Sequence, residues 1–412
     1  MTISSRRSAV TVALALALSV PLLPAAATAA ASPSPSLGAH VSAPTSDAAV
    51  QSPSPSPDAA VPELPVPGGA HPVGRRTLHL VDRSRQDLWV PKARGRELMV
   101  SLSYPARAAR GAAAPYMTVE EARLLLAARG LGDLVRAETV AGIRTHAYRS
   151  AAPAPGRYPL VLLSPGFSMP RTTLTSLADE LASRGYVVAT VDHAYESVAT
   201  EYPGHRILPC AACEPVDNDP VARAAAVRNR AADLSFVLDE LADPHRAGAV
   251  SRMIDFRRVG AAGHSIGGAS AAATMAADDR VRAGVNLDGD FYLPEPGAGL
   301  GRRPFLMMGT ADTHAPGSPG TDWPAAWSRL DGWKRWLTVT GSGHYTFTDL
   351  PYVAEQLGLP DPSVPLSGTR SRQITSAYVA AFFDLHLRGV SAPLLDGPTA
   401  ANPEVVFRHP AA

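Results

Sequence analysis

From Tyr158 onward the chain alternates short apolar runs with stretches of helical period, and this alternation restricts the fold more than any other feature. "YPLVLLSPG" and "YVVATVDH" read as buried strands on either side of a helix, "TTLTSLADELASRG", that stops at a glycine. After an irregular excursion over 193–219, Asp219 and Pro220 offer an N-cap and first helical residue to "DPVARAAAVRNRAADLSFVLDELAD". In that helix Val227, Ala231, Leu234, Leu238 and Leu241 fall on one face. Strand "RVGAAGHS", helix "GGASAAATMAA", strands "VRAGVNLDG", "PFLMMGT" and "WLTVTGSGH", and a terminal helix near "QITSAYVAAFFDLHLRG" complete the series. Strands apolar on both faces, each followed by a helix, predict an α/β fold with a mostly parallel central sheet covered by helices on both sides. Sites in such sheets lie at the carboxyl ends of the strands. Upstream, "RRTLHLVD" and "RELMVSLSYPA" alternate apolar and polar residues, as an antiparallel edge does. "TVEEARLLLAARG" is a helix whose Thr118 and Glu121 have capping-box spacing.

The N-terminal residues do not belong to this pattern. Residues 1–31 carry a basic start at Arg6 and Arg7, an apolar segment from Ala9 to Val20 and small residues around Ala27–Ala29, the layout of a cleavable export signal. The apolar segment is too short to span a bilayer, and Pro21 and Pro24 interrupt its continuation. The Arg pair lacks the bulky apolar residue that usually comes after it in a twin-arginine signal, which leaves the export route open. Residues 32–70 are a Pro/Ser/Ala-rich linker or pro-segment, too poor in large apolar side chains to offset their ordering entropy. One folded domain over 71–412 is expected to remain. A formal net charge of +1, with no basic stripe, gives no footprint for nucleic acid. The two cysteines form "CAAC", and in an exported chain Cys210 and Cys213 are expected to pair as a local disulfide. A metal would need more ligands than nearby His205 supplies, so no metal site is expected.

Chemistry concentrates in Gly263-His264-Ser265-Ile266-Gly267, a G-x-S-x-G between a strand and a helix, the nucleophile-elbow arrangement of α/β-hydrolases. A serine on so sharp a turn needs neighbours without side chains, because its own dihedrals are strained and adjacent segments must come close. The first helical N–H groups then face the place where an anionic intermediate forms. The competing reading is a strand-to-helix turn with a capping serine. A nucleophilic serine needs a base and a third group to orient it, and in this fold both come after it in the chain. His344, in "TVTGSGHYTFTD" just past the last strand, is the candidate base; of the twelve histidines none other downstream of Ser265 holds such a position. His314 lies one strand early, and His386 and His409 lie in or beyond the terminal helix. For the acid the residues leave three positions open: Asp288 and Asp290 after "VRAGVNL", and Asp312 after "PFLMMGTA". The Ile266 amide is the first oxyanion donor, with a second expected from the loop after an earlier strand.

Residues 72–390 resemble the type II, plasma-type platelet-activating-factor acetylhydrolases and their secreted bacterial esterase and lipase relatives. The resemblance rests on "LLSPGFSMPRTTLTSLADELASRGYVVATVDHAYESV", the elbow "GHSIGGAS", the acid segment "GVNLDGD" and the histidine segment "GSGHYTFTDL", in that order. It implies a triad of Ser265, Asp288 and His344, with the Phe167 amide in "SPGFS" as second oxyanion donor beside Ile266. The chain departs from the family in "GTADTH", which is similar to the acid loop of actinobacterial lipases and polyester hydrolases and keeps Asp312 as an alternative. The resemblance thus implies a secreted serine esterase that needs no cofactor, cleaving short-chain acyl esters or phospholipid sn-2 esters through an acyl-enzyme. Its partners are then small or lipid esters, with at most transient contact with a lipid surface and no nucleic acid. Triacylglycerol or polyester hydrolysis is the alternative within enzymes. A non-catalytic hydrolase fold used for binding is the alternative outside them. The helix at 118–129 and the excursion at 193–219 are placed to border the pocket or simply to pack, with Leu124, Leu125, Leu126, Tyr195 and Tyr202 serving either role.

Overall fold

The computed structural model describes residues 61–292 and 299–408. The export signal and most of the linker expected at 1–70 lie outside these residues. A central sheet of ten strands is built in the order β12-β11-β10-β9-β8-β4-β5-β2-β1-β3. In chain order the strands are β1 (Val73–Asp82), β2 (Arg96–Pro105), β3 (Ala147–Arg149), β4 (Tyr158–Ser164) and β5 (Val187–His193). They continue with a two-residue hairpin, β6 (Glu201–Tyr202) and β7 (Arg206–Ile207), which stands apart from the sheet. Next come β8 (Ile254–His264), β9 (Val281–Leu287), β10 (Phe305–Thr310), β11 (Lys334–Val339) and β12 (Val405–Arg408). Neighbours from β5 through β11 run parallel. The β1–β2, β2–β5 and β11–β12 pairs are antiparallel. This is an α/β-hydrolase fold.

The strands that read as continuously apolar are buried on both faces. One face packs Leu160, Leu162, Val259 and Ala261 against Leu234 and Leu238 of the helix Pro220–Ala242 and Ala271 and Met275 of the helix Ile266–Ala277. The other packs Val161, Leu163, Ala262 and Val285 against Leu177 and Leu181 of the helix Thr175–Ser183 and Ile374, Tyr378 and Phe382 of the helix Gly368–Arg388. At about 1.5–3 kcal/mol for each large side chain buried, these two layers are the main stabilising contribution. Asp219 caps its helix by accepting from Val221 N–H, and Thr118 and Glu121 close the capping box reciprocally.

Three features differ from the sequence expectation. Residues 61–70, assigned to the linker by composition, are part of the fold: Leu64 is buried and its N–H donates to Arg144 O (2.8 Å), and Gly68 N–H donates to Glu180 Oε2 (2.8 Å). One well-placed leucine and paired backbone are enough to anchor a segment whose composition reads as linker. The edge beyond β11 is covered by β12, four residues that offer too short a period to be recognised. The three-residue strand β3 likewise covers β1 on the opposite edge. Among the described residues no helix is long and apolar enough to cross a membrane.

Candidate active site

Leaving β4, the chain goes to β5 on one side and returns to β8 on the other, so the loops after β4 and β8 open a crevice at their carboxyl ends. Ser265 sits there at φ 55° and ψ −128°, a conformation that costs a non-glycine residue of order 1–3 kcal/mol and that only a crowded turn maintains. The crowding is measurable. A Cβ on Gly267 would stand 2.1 Å from Ser164 O, one on Gly263 2.3 Å from the Gly267 carbonyl carbon, and one on Gly289 2.0 Å from Ser265 O. Ser265 N–H donates to Leu287 O (2.7 Å), tying the elbow to the end of β9. Its hydroxyl is partly exposed and has no hydrogen bond among the described residues.

Asp288 comes directly after β9 and is itself strained at φ 59°. Three donors hold its buried carboxylate: His344 Nδ1–H to Oδ2 (2.6 Å), His314 Nδ1–H to Oδ1 (2.9 Å) and Thr310 N–H to Oδ1 (2.6 Å). Burial opposes its charge, yet the two imidazoles outweigh burial and hold the carboxyl well below the usual range. Asp312, the alternative acid, is exposed on the short helix Ala311–His314 with no side-chain partner among the described residues. Asp290 turns instead to Thr321 Oγ1 (3.5 Å) and His314 Nε2 (3.5 Å). The structure therefore brings His344 to Asp288 and to neither of the other two.

His344 is half-exposed and opens the short 3₁₀ turn His344–Phe347. Its backbone is held by the elbow: His264 Nε2–H donates to His344 O (2.7 Å), and the two rings pack at a tilt with centroids 4.6 Å apart. Burial, then the neighbouring His344, push the His264 pKa down to about 3, so this ring is neutral and donates from Nε2. Among the described residues its Nδ1 has no hydrogen-bond partner, and it faces Gly166, where a Cβ would come within 2.7 Å. The x of the G-x-S-x-G motif thus clamps the elbow, the histidine loop and the loop after β4.

On that loop Phe167 N–H has no acceptor among the described residues, and Ile266, as the first helical amide, has none within its helix. The Phe167 ring packs with Ile266 and Ala269 beside Trp89, Tyr292 and Val216. The Cys210–Cys213 disulfide, formed as expected, brackets Ala212 in the same cluster. The excursion therefore borders the site through Ala212 and Val216, whereas Tyr202 is buried elsewhere, against Met99. Leu125 and Leu126 are core residues of a satellite cluster under Met169 and Tyr345, with Leu124 half-buried against it.

Beneath the loop lies a buried charge cluster that sequence reasoning missed. Arg230 donates to Pro165 O (2.6 Å) and Glu196 Oε2 (2.6 Å). Arg96 joins Glu196 (2.8 Å), Asp233 (2.8 Å) and Asp87 (2.9 Å). His193, neutralised by burial and by Arg230, donates through Nδ1 to Asp233 (2.8 Å) and accepts at Nε2 from Ser164 Oγ (3.0 Å). Ser164, His193 and Asp233 thus repeat the hydrogen-bond order of a catalytic triad, but all three are buried, and it is Arg230 that holds the backbone of the loop after β4, at Pro165 O. The visible signal was Arg230 and Asp233 falling in or beside the apolar face of their helix.

Two hollows stand out. One of about 540 Å3 lies over Arg75, Thr77, Ser101 and Arg171 and includes none of Ser265, Asp288 and His344. The other, about 440 Å3, is bordered by His344, with Tyr345, Leu350, Leu359 and Val364 as apolar walls. No group of residues suited to a metal occurs among the described residues.

The chain is similar to several known proteins. A ferulic acid esterase from Streptomyces cinnamoneus superposes with a TM-score of 0.76 at 46% identity, covering 85% of this chain and all of that one. A protein of Arthroderma benhamiae named "Probable 1-alkyl-2-acetylglycerophosphocholine esterase" is 29% identical over 84% of this chain and 93% of its own length. The platelet-activating factor acetylhydrolase of Canis lupus familiaris is 24% identical over half of each chain (49% of this one, 50% of its own). The family model for platelet-activating factor acetylhydrolase, isoform II, matches residues 63–209 and 229–359. With most of the folded body matched and an esterase of the same fold alongside, the chain is a carboxylic-ester hydrolase that belongs to the platelet-activating factor acetylhydrolase, isoform II, family.

Proposed function

We propose that the chain is an exported serine esterase in which Ser265 is the nucleophile, His344 the general base, Asp288 the acid that orients it, and the Phe167 and Ile266 amides the oxyanion hole. The observation that carries this reading is the 2.6 Å bond from His344 Nδ1 to the buried Asp288, on the loop that His264 fastens to the elbow. His344 Nε2 takes the Ser265 proton as Oγ attacks the ester carbon; the two amides receive the negative charge, and His344 returns the proton to the leaving alcohol. Water then repeats the sequence on the acyl-enzyme and releases the acid. Asp288 keeps the imidazole in the right tautomer and balances its transient charge.

For the substrate, identity to the ferulic acid esterase over its whole length favours small esters with a compact or aromatic acyl group. The ring-lined surface of Phe167, Tyr292 and Trp89 beside Ile266 suits that group. A second reading, a short acyl group on a phospholipid, draws on the likeness to the 1-alkyl-2-acetylglycerophosphocholine esterase and on the apolar hollow beside His344. Export is supported by the signal-like residues 1–31 and by a disulfide that the cytoplasm would reduce. The test is labelling by a fluorophosphonate, then kinetics on p-nitrophenyl esters of graded length, methyl ferulate, a 2-acetyl phospholipid, a triglyceride and a polyester. Ser265→Ala is expected to abolish labelling and turnover while melting like wild type; turnover at the wild-type rate in Ser265→Ala would end the assignment. Intact mass of protein from culture medium locates the signal cleavage.

A further inference from the structure

The acid of the site carries two imidazoles, and the proton transfers of ester cleavage call on only one of them. We propose that His314 is a positioning residue for the triad, a second imidazole that locks the Asp288 carboxylate and balances its charge so that Oδ2 stays aimed at His344. This rests on the catalytic reading of Ser265, Asp288 and His344 and adds to it.

The geometry is specific on every side of the ring. His314 Nδ1 lies 2.9 Å from Asp288 Oδ1 and 2.9 Å from Thr313 Oγ1, and Nε2 lies 3.5 Å from Asp290 Oδ1. Both ring nitrogens therefore face carboxylate oxygens, which suits the doubly protonated form. The Trp323 ring packs against that of His314, tilted by 37° with centroids 4.3 Å apart, within the distance at which an indole attracts a cation. Trp323 is itself fixed by its Nε1–H to Gly289 O (2.7 Å), one residue from the acid, and Trp336 Nε1–H holds His314 O (2.7 Å). Gly309 leaves room for the arrangement: a Cβ there would meet His314 Cβ at 2.9 Å, Trp323 Cη2 at 2.9 Å and Asp288 Oδ1 at 3.0 Å. The charged groups around the ring are Asp288 and Asp290 in contact, Asp322 one step further through its N–H to Asp290 (3.4 Å), and His344 across Asp288. Burial disfavours charge on His314, but the two carboxylates outweigh it and raise the pKa to about 9, consistent with an imidazolium through the neutral range.

With His314 charged, Asp288 and Asp290 together leave one net negative charge, which the imidazolium formed at His344 during acylation neutralises. Without it, the charges of Asp288 and Asp290 go unbalanced and Asp288 bears on His344 with its full negative charge, which favours the imidazolium there and removes the free base. Asp288 also loses one of its three donors and gains freedom to rotate.

The test compares His314→Asn, whose amide can reach Oδ1 from the position of Nδ1, with His314→Leu, which donates nothing. His314→Leu is expected to lose about 100-fold in kcat with KM within about twofold, and His314→Asn to recover most of that loss. In His314→Asn the acidic limb of kcat/KM is nevertheless expected to move up by about one pH unit, because the donor is restored and the charge is not. An unmoved limb in a His314→Asn variant that melts cooperatively would overturn the proposal, whatever happens to stability. If His314→Leu does not fold, proton NMR of the wild-type protein decides: two strongly downfield ring N–H signals are expected, one lost in His344→Gln and the other in His314→Asn. A single signal, lost in His344→Gln alone, overturns it. Both results are separate from the triad itself, which stands or falls with Ser265→Ala.

Discussion

Gly166→Ala isolates the clamp that His264 makes between the oxyanion loop and the histidine loop. Gly166 does not adopt a left-handed φ, so alanine brings no backbone strain and acts through contact alone. Its Cβ would stand 2.7 Å from His264 Nδ1 and 3.2 Å from Cε1. Ordinary contact begins at 3.4 Å, so the pair must open by 3.4 − 2.7 = 0.7 Å. The His264 ring cannot absorb this by turning: it is 1% exposed, donates from Nε2 to His344 O and packs against the His344 ring. Either the Phe167 amide retreats from the oxyanion or the His344 loop moves from the serine. Removing one oxyanion donor outright costs about 10²–10³ in kcat, and a shift of this size is expected to cost about 10- to 100-fold, with KM within about twofold. Overpacking adds about 1–3 kcal/mol of destabilisation, seen as a Tm lowered by a few degrees. Steady-state p-nitrophenyl acetate kinetics and a thermal melt measure both. Wild-type kcat in Gly166→Ala would show that the loop and the ring are not mechanically joined, and that His264 is no clamp.

Asp288→Asn is expected to lower kcat by about 10³–10⁴ by favouring the wrong His344 tautomer, whereas Asp312→Asn, on an exposed helix, stays within about twofold; a larger loss for Asp312→Asn reverses the choice of acid. Arg230→Met removes the donor to Pro165 O and one partner of Glu196, so a loss of about 3–5 kcal/mol in denaturant stability accompanies a lower kcat; unchanged stability would refute the supporting role. Asp349 is buried, accepts from Ser176 N–H, and is pushed by burial up to about 7 from 3.8. The folded state therefore binds its proton more tightly than the unfolded chain, and this residue's contribution to stability falls as pH rises from about 4 to about 7 and stays lost at higher pH. Asp349→Asn, which keeps an acceptor without the charge, is expected to stabilise by up to about 4 kcal/mol at pH 8 and hardly at all at pH 4; equal effects at both would contradict the assignment.

The sheet was legible because its strands are apolar on both faces: Val161 and Leu162 point opposite ways and both are fully buried, a pattern that only two covering layers of helix satisfy. The elbow was legible because glycine at 263 and 267 has a steric reason that survives in one sequence, as the 2.3 Å and 2.1 Å approaches there demonstrate. The place of His344 past the end of β11, where it meets Asp288, was legible from its position in the chain. The acid could not be chosen from the residues alone, since Asp288 and Asp312 end adjacent strands, and which of them faces the histidine depends on a difference of a few ångströms that no periodicity encodes. His314 was set aside as a base because it lies one strand early, and the same adjacency explains why it nevertheless meets the acid. Because β10 lies beside β9, with Asp288 N–H donating to Met308 O, a residue just past β10 reaches the back of an acid that sits just past β9. Being one strand early in the chain is being next door in the sheet. The general consequence is that candidates in this fold are better sorted by the strand end they succeed than by their order along the chain. Sorting in that way groups Ser265, Asp288 and His314 at the ends of β8, β9 and β10 and His344 just past β11, before any side chain is placed.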